Sequence, residues 1–306
     1  MQKIIQKLRE IIPLSLRTRI GPYVAYVVYI INVYILVNRK RPKVLSLDQT
    51  LDKVKSMELS VIRFGDGEMS LINNHDLAFQ KSDPELAKKM TKVLQARHDK
   101  LLICIPGIWE KIHGFSKRSF WFTLHHLFKY GSAWKKILSS DYVYGDAFIT
   151  RPYLNYKKTP ASERIFNKMI SLWEHKDVVL IEGSQSRLGI GNDLFANTKS
   201  LQRILCPSEN AFSKYSEIKN VAMKTPNDKL VLLSLGPTAK ILAYDLFLAG
   251  YRVLDIGHID MEYEMYLRKK PGIVKVKYKY FNEIEERNPD DCTDPAYLSQ
   301  IVARID

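Results

Sequence analysis

The hydrophobic pattern alternates between short apolar runs and longer amphipathic stretches. Apolar runs rich in β-branched residues predict strands at 59–64, 101–106, 141–145, 177–182, 201–206, 229–235 and 252–256. Capping residues and helical periodicity predict helices at 49–57, 84–98, 117–139 and 237–248. Runs such as 178–181 are continuously apolar, which is typical of a parallel sheet covered on both faces. The pattern predicts an α/β fold with a Rossmann-like, doubly wound and mostly parallel sheet.

Residues 1–43 differ from the rest of the chain. They carry nine basic side chains and one acidic one, placed around an apolar run at 23–37 that contains four tyrosines. As a helix this run is roughly 22 Å long, shorter than the roughly 30 Å hydrocarbon core of a bilayer. We predict that residues 1–44 form a helical extension on an anionic membrane surface, at the cytoplasmic face of the cell membrane. A short spanning helix and a helix packed on the domain are the alternatives.

Composition excludes some classes of function. The 306 residues are 46% hydrophobic and 26% charged, which is ordinary for a globular protein. The three cysteines lack metal-binding or redox spacing, so a reducing cytoplasm is expected. The net charge of +14 is concentrated around the N-terminal apolar run, so nucleic acid is not an expected partner. Neither a dinucleotide fingerprint nor a P-loop lysine is present, which disfavours nicotinamide and Walker-type chemistry.

An acidic segment directly follows the first apolar strand, in the sequence I-R-F-G-D-G-E. Asp66 and Glu68 are two residues apart and carry the hard oxygen ligands that Mn²⁺ or Mg²⁺ prefers. Gly65 and Gly67 allow the backbone to approach a ligand, and Arg63 is a candidate phosphate contact. An ordinary acidic turn is the alternative interpretation of this segment.

Four further clusters follow predicted strands. At 144–153 the candidate donor contacts are Asp146 and Arg151. At 181–194 a glycine-rich loop precedes a short predicted helix, and Arg187, Asn192 and Asp193 are candidates for holding a diphosphate or ribose. At 233–240 a helix start with Gly236 and Thr238 offers an anion site. At 255–264 the ionisable residues include His258, Asp260 and Glu264, and either Asp260 or Glu264 is a candidate general base. Helix capping and turn formation are the alternatives at 181–194 and 233–240, and acidic residues favoured by the dipole of a helix start are the alternative at 255–264.

The order of these motifs resembles the GT-D-type glycosyltransferase family over about residues 45–282. The shared elements are I-R-F-G-D-G-E, Y-G-D-A-F-I-T-R-P-Y, I-E-G with S-R-L-G-I-G-N-D-L-F, R-I-L-C-P-S-E-N-A-F, L-G-P-T-A and D-I-G-H-I-D-M-E-Y-E. The resemblance implies three parts: an extension at 1–44, one Rossmann-like transferase domain at 45–282, and a tail at 283–306. It also implies a UDP-sugar donor and a divalent cation, usually Mn²⁺.

The resemblance assigns roles to individual residues. It implies that Asp66 and Glu68 bind the metal and that Glu264 is the general base, while His258 or Asp260 orients Glu264 or binds sugar. The family often has tryptophan after that glutamate, where this chain has Met265. The expected reaction is inverting transfer of glucose or galactose to a hydroxyl of a growing glycan, lipid-linked and destined for capsule or exopolysaccharide. A protein-linked glycan acceptor, a metal-dependent phosphohydrolase or phosphotransferase, a non-enzymatic binder of nucleic acid, and a structural partner protein remain alternatives.

Overall fold

A computed structural model describes residues 23, 27, 41–109, 114–157, 160–281 and 289–306. Within these ranges nine strands form one sheet with the order β1-β4-β3-β2-β8-β7-β5-β6-β9, and the neighbouring strands pair in parallel. The strands are β1 (Lys43–Val44), β2 (Ser60–Arg63), β3 (Leu101–Ile105), β4 (Val143–Asp146), β5 (Asp177–Gly183), β6 (Ser200–Cys206), β7 (Leu230–Ser234), β8 (Val253–Asp255) and β9 (Ile301–Arg304). The predicted α/β fold with a mostly parallel sheet is confirmed.

Helices cover both faces of the sheet. They are α1 (Leu47–Ser56), α2 (Asp66–Ile72), α3 (Pro84–Leu94), α4 (Lys117–Ile137), α5 (Pro160–Ile170), α6 (Tyr215–Ala222), α7 (Thr238–Leu248), α8 (Ile259–Leu267) and α9 (Pro295–Gln300). Short 3-10 helices lie at Ala147–Thr150 and Ala211–Lys214. The predicted capping is present where α1 begins, because the Ser46 hydroxyl accepts from the Gln49 N–H and the Gln49 side chain accepts from the Ser46 N–H.

The core has two layers because successive strand residues point to opposite faces of the sheet. Ile103 and Val231 pack on one face with residues of α3, α4, α6 and α7. Leu102 and Leu232 pack on the other face with residues of α1, α5 and α8. Cys104 and Cys206 lie in β3 and β6 and are buried.

The structure differs from the sequence prediction at several places. Strands β1 and β9 were not predicted, since β1 has two residues and the burial of β9 alternates only between intermediate and exposed. The segment that starts at Asp66 is the first turn of a helix rather than a loop. The short helix predicted to follow the glycine-rich loop of 181–194 is absent, because residues 194–197 form turns; the loop before them passes through left-handed residues, with φ of +48° at Arg187, +78° at Gly189 and +76° at Gly191.

The strand order reverses between β2 and β8. Strands β1 to β4 lie on one side of this border and β5 to β9 on the other, and Val61 of β2 is in register with Leu254 of β8. In open α/β sheets the crevice outside such a switch point is the usual ligand site. The topology therefore indicates a ligand site at the loops that follow β2 and β8.

The predicted membrane-surface helix at 1–44 lies outside the described residues, apart from Tyr23 and Val27, whose side chains are exposed, and residues 41–44, where Lys43–Val44 form strand β1 instead of helix. In the part of the chain that the structure describes, no helix is both long and apolar enough to cross a bilayer.

Candidate active site

A cavity of about 710 Å³ opens at the carboxyl edge of the sheet. Its wall is built by loops that follow seven strands, β2 to β8, by the start of α4, and by residues 271–273. Eight of the predicted site residues lie in this wall: Arg63, Gly65, Asp66, Gly67, Glu68, Arg151, Gly236 and His258. The carboxyl ends of the parallel strands thus bring together residues that are up to 195 positions apart in the sequence.

The two acidic wall residues have different surroundings. Asp66 is the exposed first residue of α2. Glu68 is buried, and its Oε2 accepts a hydrogen bond of 2.7 Å from the Gly65 N–H, which caps the helix start. The other carboxylate oxygen of Glu68 lies 3.2 Å from the Nζ of Lys240. Glu68 is thus held in place by protein contacts, whereas Asp66 is open to solvent.

Lys240 is a site residue that the sequence analysis missed. Its Nζ lies in the cavity wall, 3.0 Å from the Oδ2 of Asp255 as well as 3.2 Å from Glu68. Burial raises the pKa of Asp255, but the charges of Lys240 and Arg63 outweigh burial and hold that pKa below its usual value. A sequence signal for Lys240 does exist. It is a lysine in the first turn of a helix that is otherwise largely apolar, and the helix dipole disfavours a cation at that position.

Arg63 both lines the cavity and supports the switch point. Its Nε donates to the Asp255 carbonyl at 2.7 Å, and its two terminal nitrogens donate to the Ala147 carbonyl and to the Asp255 carboxylate. A side chain at position 257 would overlap this guanidinium, which together with φ +45° explains the glycine there.

Arg151 adds a further cation to the wall. Its Nε lies 3.3 Å from the Oε1 of Glu262, and its side chain is 31% exposed. Glu262 also accepts hydrogen bonds from the N–H groups of Tyr153 and Leu154, which fixes the loop after β4. Burial raises the pKa of Glu262 despite the opposing charge of Arg151.

Seven predicted site residues lie outside the cavity wall: Asp146, Arg187, Asn192, Asp193, Thr238, Asp260 and Glu264. The Arg187 guanidinium donates to the carbonyls of Tyr278 and Asp290 and so holds the C-terminal segment. Asp193 accepts a hydrogen bond from the Tyr263 hydroxyl. Thr238 is fully buried at the start of α7. The structure gives each of these three residues surroundings apart from the cavity.

The predicted general base belongs to a buried cluster behind the wall. The Nζ of Lys279 lies 2.7 Å from the Oδ2 of Asp260 and 2.9 Å from the Oε1 of Glu264. Asn192 donates to both carboxylates, and Arg268 lies 3.0 Å from the second oxygen of Glu264. Burial raises the pKa of Glu264, but Lys279 and the hydrogen bonds outweigh it and the pKa is lowered. These contacts argue against Glu264 as a proton acceptor in the cavity.

Asp146 is buried outside the cavity wall, and its raised pKa predicts that the stability of the protein depends on pH. Burial raises its pKa from 3.8 to about 7, although its Oδ1 accepts hydrogen bonds from Phe148 and Gly107. Between about pH 4 and 7 the folded protein keeps a proton that the unfolded chain releases, so this group's contribution to stability falls as pH rises. This pH-dependent loss in the free energy of unfolding is on the order of a few kcal/mol, and we expect Asp146→Asn to abolish it. Urea unfolding across this pH range measures the difference. Identical pH profiles for the two proteins would contradict the assignment.

The start of α4 forms an aromatic and polar side of the cavity. Its lining residues recur at helical spacing and are Arg118, Ser119, Phe122, Thr123 and His126. Phe122 is 55% exposed, and its ring is nearly parallel to that of His126 at 6.5 Å between centroids. The His126 Nε2 accepts a hydrogen bond of 2.8 Å from the Trp134 indole, and burial lowers the pKa of His126 to about 4. The ring is therefore neutral with its proton on Nδ1.

The wall offers a donor set that fits a divalent cation shared with a ligand. Among the described residues there is no group of three or more His, Cys, Asp or Glu side chains that would hold a metal alone. Asp66 and Glu68 both line the cavity, and Mg²⁺-type ions are commonly held by one or two carboxylates together with substrate phosphates. The two carboxylates fit that arrangement, provided that Glu68 separates from Lys240.

Comparisons with known proteins agree with this geometry. The family model of the glycosyltransferase GT-D fold matches residues 61–284. A protein named probable glycosyl transferase Gly from Streptococcus gordonii is 40% identical over 268 residues, and glycosyltransferase GlyD from Streptococcus pneumoniae serotype 4 is 38% identical over 267 residues. Each match covers 86% of this chain, which spans only 39% and 32% of the lengths of these two relatives.

Solved structures give the same result. A structure of the domain of unknown function 1792, described as a distinct glycosyltransferase fold, has a TM-score of 0.83 and 38% identity and covers 87% of this chain and 96% of that one. A glycosyltransferase of this type from Streptococcus sanguinis has a TM-score of 0.82 and 39% identity, with 87% and 100% coverage. The fold and these relatives define the class as proteins with the glycosyltransferase GT-D fold. The chain belongs to the GT-D family.

Proposed function

We propose that the protein is a metal-dependent, inverting hexosyltransferase that moves glucose or galactose from a UDP-sugar to a hydroxyl of a growing glycan. The observation that carries this proposal is the cavity at the switch point, where Asp66 and Glu68 face the same space as Arg63, Arg151 and Lys240. Convergent carboxylates and cations suit a metal-bound diphosphate, because they match both the ion and the phosphate oxygens.

The donor is expected to lie along the loops after β2 and β7. Arg151 and Lys240 would hold the phosphates, and Asp66 and Glu68 would hold Mn²⁺ or Mg²⁺. The ion, when bound, neutralises the charge that develops on the departing diphosphate. The backbone at Gly236, where α7 begins with φ of +51° at the glycine, can approach the phosphates closely.

The wall formed by α4 supports a carbohydrate acceptor. The exposed ring of Phe122 offers an apolar face, and the neutral His126 ring beside it adds an N–H donor. A sugar presents both C–H faces and hydroxyl groups, so this combination suits one. A lipid-linked glycan at the cytoplasmic face of the cell membrane, on the way to capsule or exopolysaccharide, agrees with the basic and apolar segment at 1–44. A protein-linked glycan is the alternative acceptor.

Calorimetric titration tests the donor. We expect UDP-glucose or UDP-galactose to bind in the presence of Mn²⁺ and to bind at least about tenfold more weakly without it, since the ion bridges the carboxylates to the diphosphate. UDP-N-acetylglucosamine is the comparison donor. Failure of all three to bind would contradict the proposal, and hydrolysis of the diphosphate without sugar transfer would favour a phosphohydrolase.

Asp66→Asn tests the metal-binding role of the exposed carboxylate. We expect Mn²⁺-dependent donor affinity to fall by about 10- to 100-fold, because a neutral amide is a poor ligand for a hard cation. The matched control is Asp99→Asn, the same change at an exposed residue of the turn before β3, at the opposite edge of the sheet. Donor binding is measured with and without Mn²⁺ for both variants. An unchanged metal dependence in Asp66→Asn would show that Asp66 is not a metal ligand.

A further inference from the structure

Lys240 is a buried cation in the cavity wall with two carboxylate partners. It is 5% exposed, and its Nζ lies 3.2 Å from the Oε1 of Glu68 and 3.0 Å from the Oδ2 of Asp255. The Gly236 carbonyl also accepts a hydrogen bond of 3.2 Å from the Lys240 Nζ. A buried lysine is costly unless it is paired, so these contacts explain how the ammonium group is kept at this point of the fold.

The two partners of Lys240 depend on it to different degrees. The carboxylate of Asp255 also accepts hydrogen bonds from the backbone N–H and the guanidinium of Arg63. Within the described residues Glu68 has one cationic partner, Lys240, and its second oxygen is bound to the Gly65 N–H. Loss of the lysine therefore leaves Asp255 neutralised and Glu68 without a counter-charge.

The lysine and a divalent cation cannot both occupy Glu68. The Oε1 that Lys240 contacts faces the same cavity as Asp66, and a divalent ion at this oxygen would stand beside the ammonium group. Two like charges at such a distance repel strongly where water is scarce. Lysine has a long and flexible stem, so the ammonium group can turn into the cavity while the helix stays in place.

We propose that Lys240 competes with the divalent cation for Glu68 and, once displaced, binds the diphosphate of the donor. Cation and diphosphate then bind cooperatively, because the ion frees the lysine that the phosphates need. This inference rests on the proposed function and adds to it a coupling between two ligands of one site. It assigns Lys240 as a diphosphate-binding residue and as the group that keeps Glu68 from an ion that arrives alone.

Lys240→Met is expected to change the two affinities in opposite directions. Mn²⁺ alone should bind about tenfold or more tightly, because Glu68 loses its competing partner. UDP in saturating Mn²⁺ should bind about tenfold or more weakly, because the phosphates lose a cation. Free Mn²⁺ is measured by its electron paramagnetic resonance signal and UDP binding by calorimetry, so neither measurement depends on turnover.

The matched control is Arg118→Met, which also removes one positive charge from the cavity wall. We expect its affinity for Mn²⁺ alone to stay within about twofold of the wild-type value, because Arg118 is exposed and the cationic partner of Glu68 is Lys240. An equal gain in Mn²⁺ affinity in both variants would overturn the proposal, since a general change in charge would then explain the effect.

Glu68→Gln tests the same competition with the lysine retained, and it serves if Lys240→Met does not fold. With one of its two carboxylate partners removed, Lys240 is held less strongly and meets phosphate more easily, so UDP should bind more tightly in the absence of metal. Asp66→Asn removes the same charge from the same wall without freeing Lys240, and its gain should be smaller. Equal gains would overturn the proposal. Failure of wild-type protein to bind UDP at all would instead overturn the proposed function.

Discussion

Replacing Lys279 by methionine is expected to lower the free energy of unfolding by about 3–5 kcal/mol. The ammonium group is fully buried between Asp260 and Glu264, at 2.7 and 2.9 Å from their carboxylate oxygens. Methionine has a similar volume and carries no charge, so the variant leaves two buried carboxylates with less compensation while the packing is largely kept. Chemical denaturation at pH 7, followed by circular dichroism, measures the loss.

The control for this variant is Lys199→Met, which removes a lysine from an exposed ion pair with Asp177 at 2.8 Å. Exposed pairs contribute about 0–1 kcal/mol, so this change should be nearly neutral. Adding Asp260→Asn and Glu264→Gln to Lys279→Met should recover part of the loss, because the cost comes from unpaired carboxylates. Equal stabilities of Lys279→Met and Lys199→Met would contradict the structural role of the cluster.

The sequence predicted most of the sheet because its central strands are short, continuously apolar and bounded by turn residues. The seven predicted strands are all present, with ends that differ by up to two residues. Strand β9 was missed, since an edge strand with half-buried side chains has little hydrophobic signal. Strand order was not predictable, because apolar runs such as those of β2 and β8 do not specify which neighbours pair.

The sequence also predicted where the site lies better than it predicted which side chains enter it. Residues that directly follow strands β2 and β8, such as Arg63, Asp66 and His258, do reach the cavity. Asp260 and Glu264 are only a few positions beyond His258, yet they turn away toward Lys279. Lys279, the partner that fixes the direction of both side chains, lies in a loop 15 residues beyond Glu264. No local pattern in the sequence predicts that contact.

Three of the wall residues that the sequence analysis missed lie in helices. Phe122 and His126 lie on one face of α4 and look like ordinary members of an amphipathic helix. Which helix face covers the cavity and which packs on the core depends on tertiary structure. Lys240 had a local signal, but its two carboxylate partners come from β8 and α2.

His258→Gln is expected to reduce turnover by about 100- to 10,000-fold with donor binding preserved, which is the range of general acid–base catalysis. Four groups that can take up a proton line the described cavity wall: Asp66, Glu68, His126 and His258. Glu68 is paired with Lys240, and burial lowers the pKa of His126 to about 4, which makes it a weak base. With Asp66 proposed as a metal ligand, His258 is the remaining group for accepting the proton of the acceptor hydroxyl.

The comparison with Glu264→Gln separates this assignment from the one that the family resemblance implied. Glu264 is outside the wall and its pKa is lowered, so we expect Glu264→Gln to reduce stability and to leave the pH dependence of turnover unchanged. His258→Gln should lose turnover while it keeps the stability of the wild-type protein. Turnover is measured as UDP release with the donor identified by calorimetry. If Glu264→Gln keeps wild-type stability and loses turnover while His258→Gln keeps it, then Glu264 is the base and its carboxylate must leave Lys279 during the reaction.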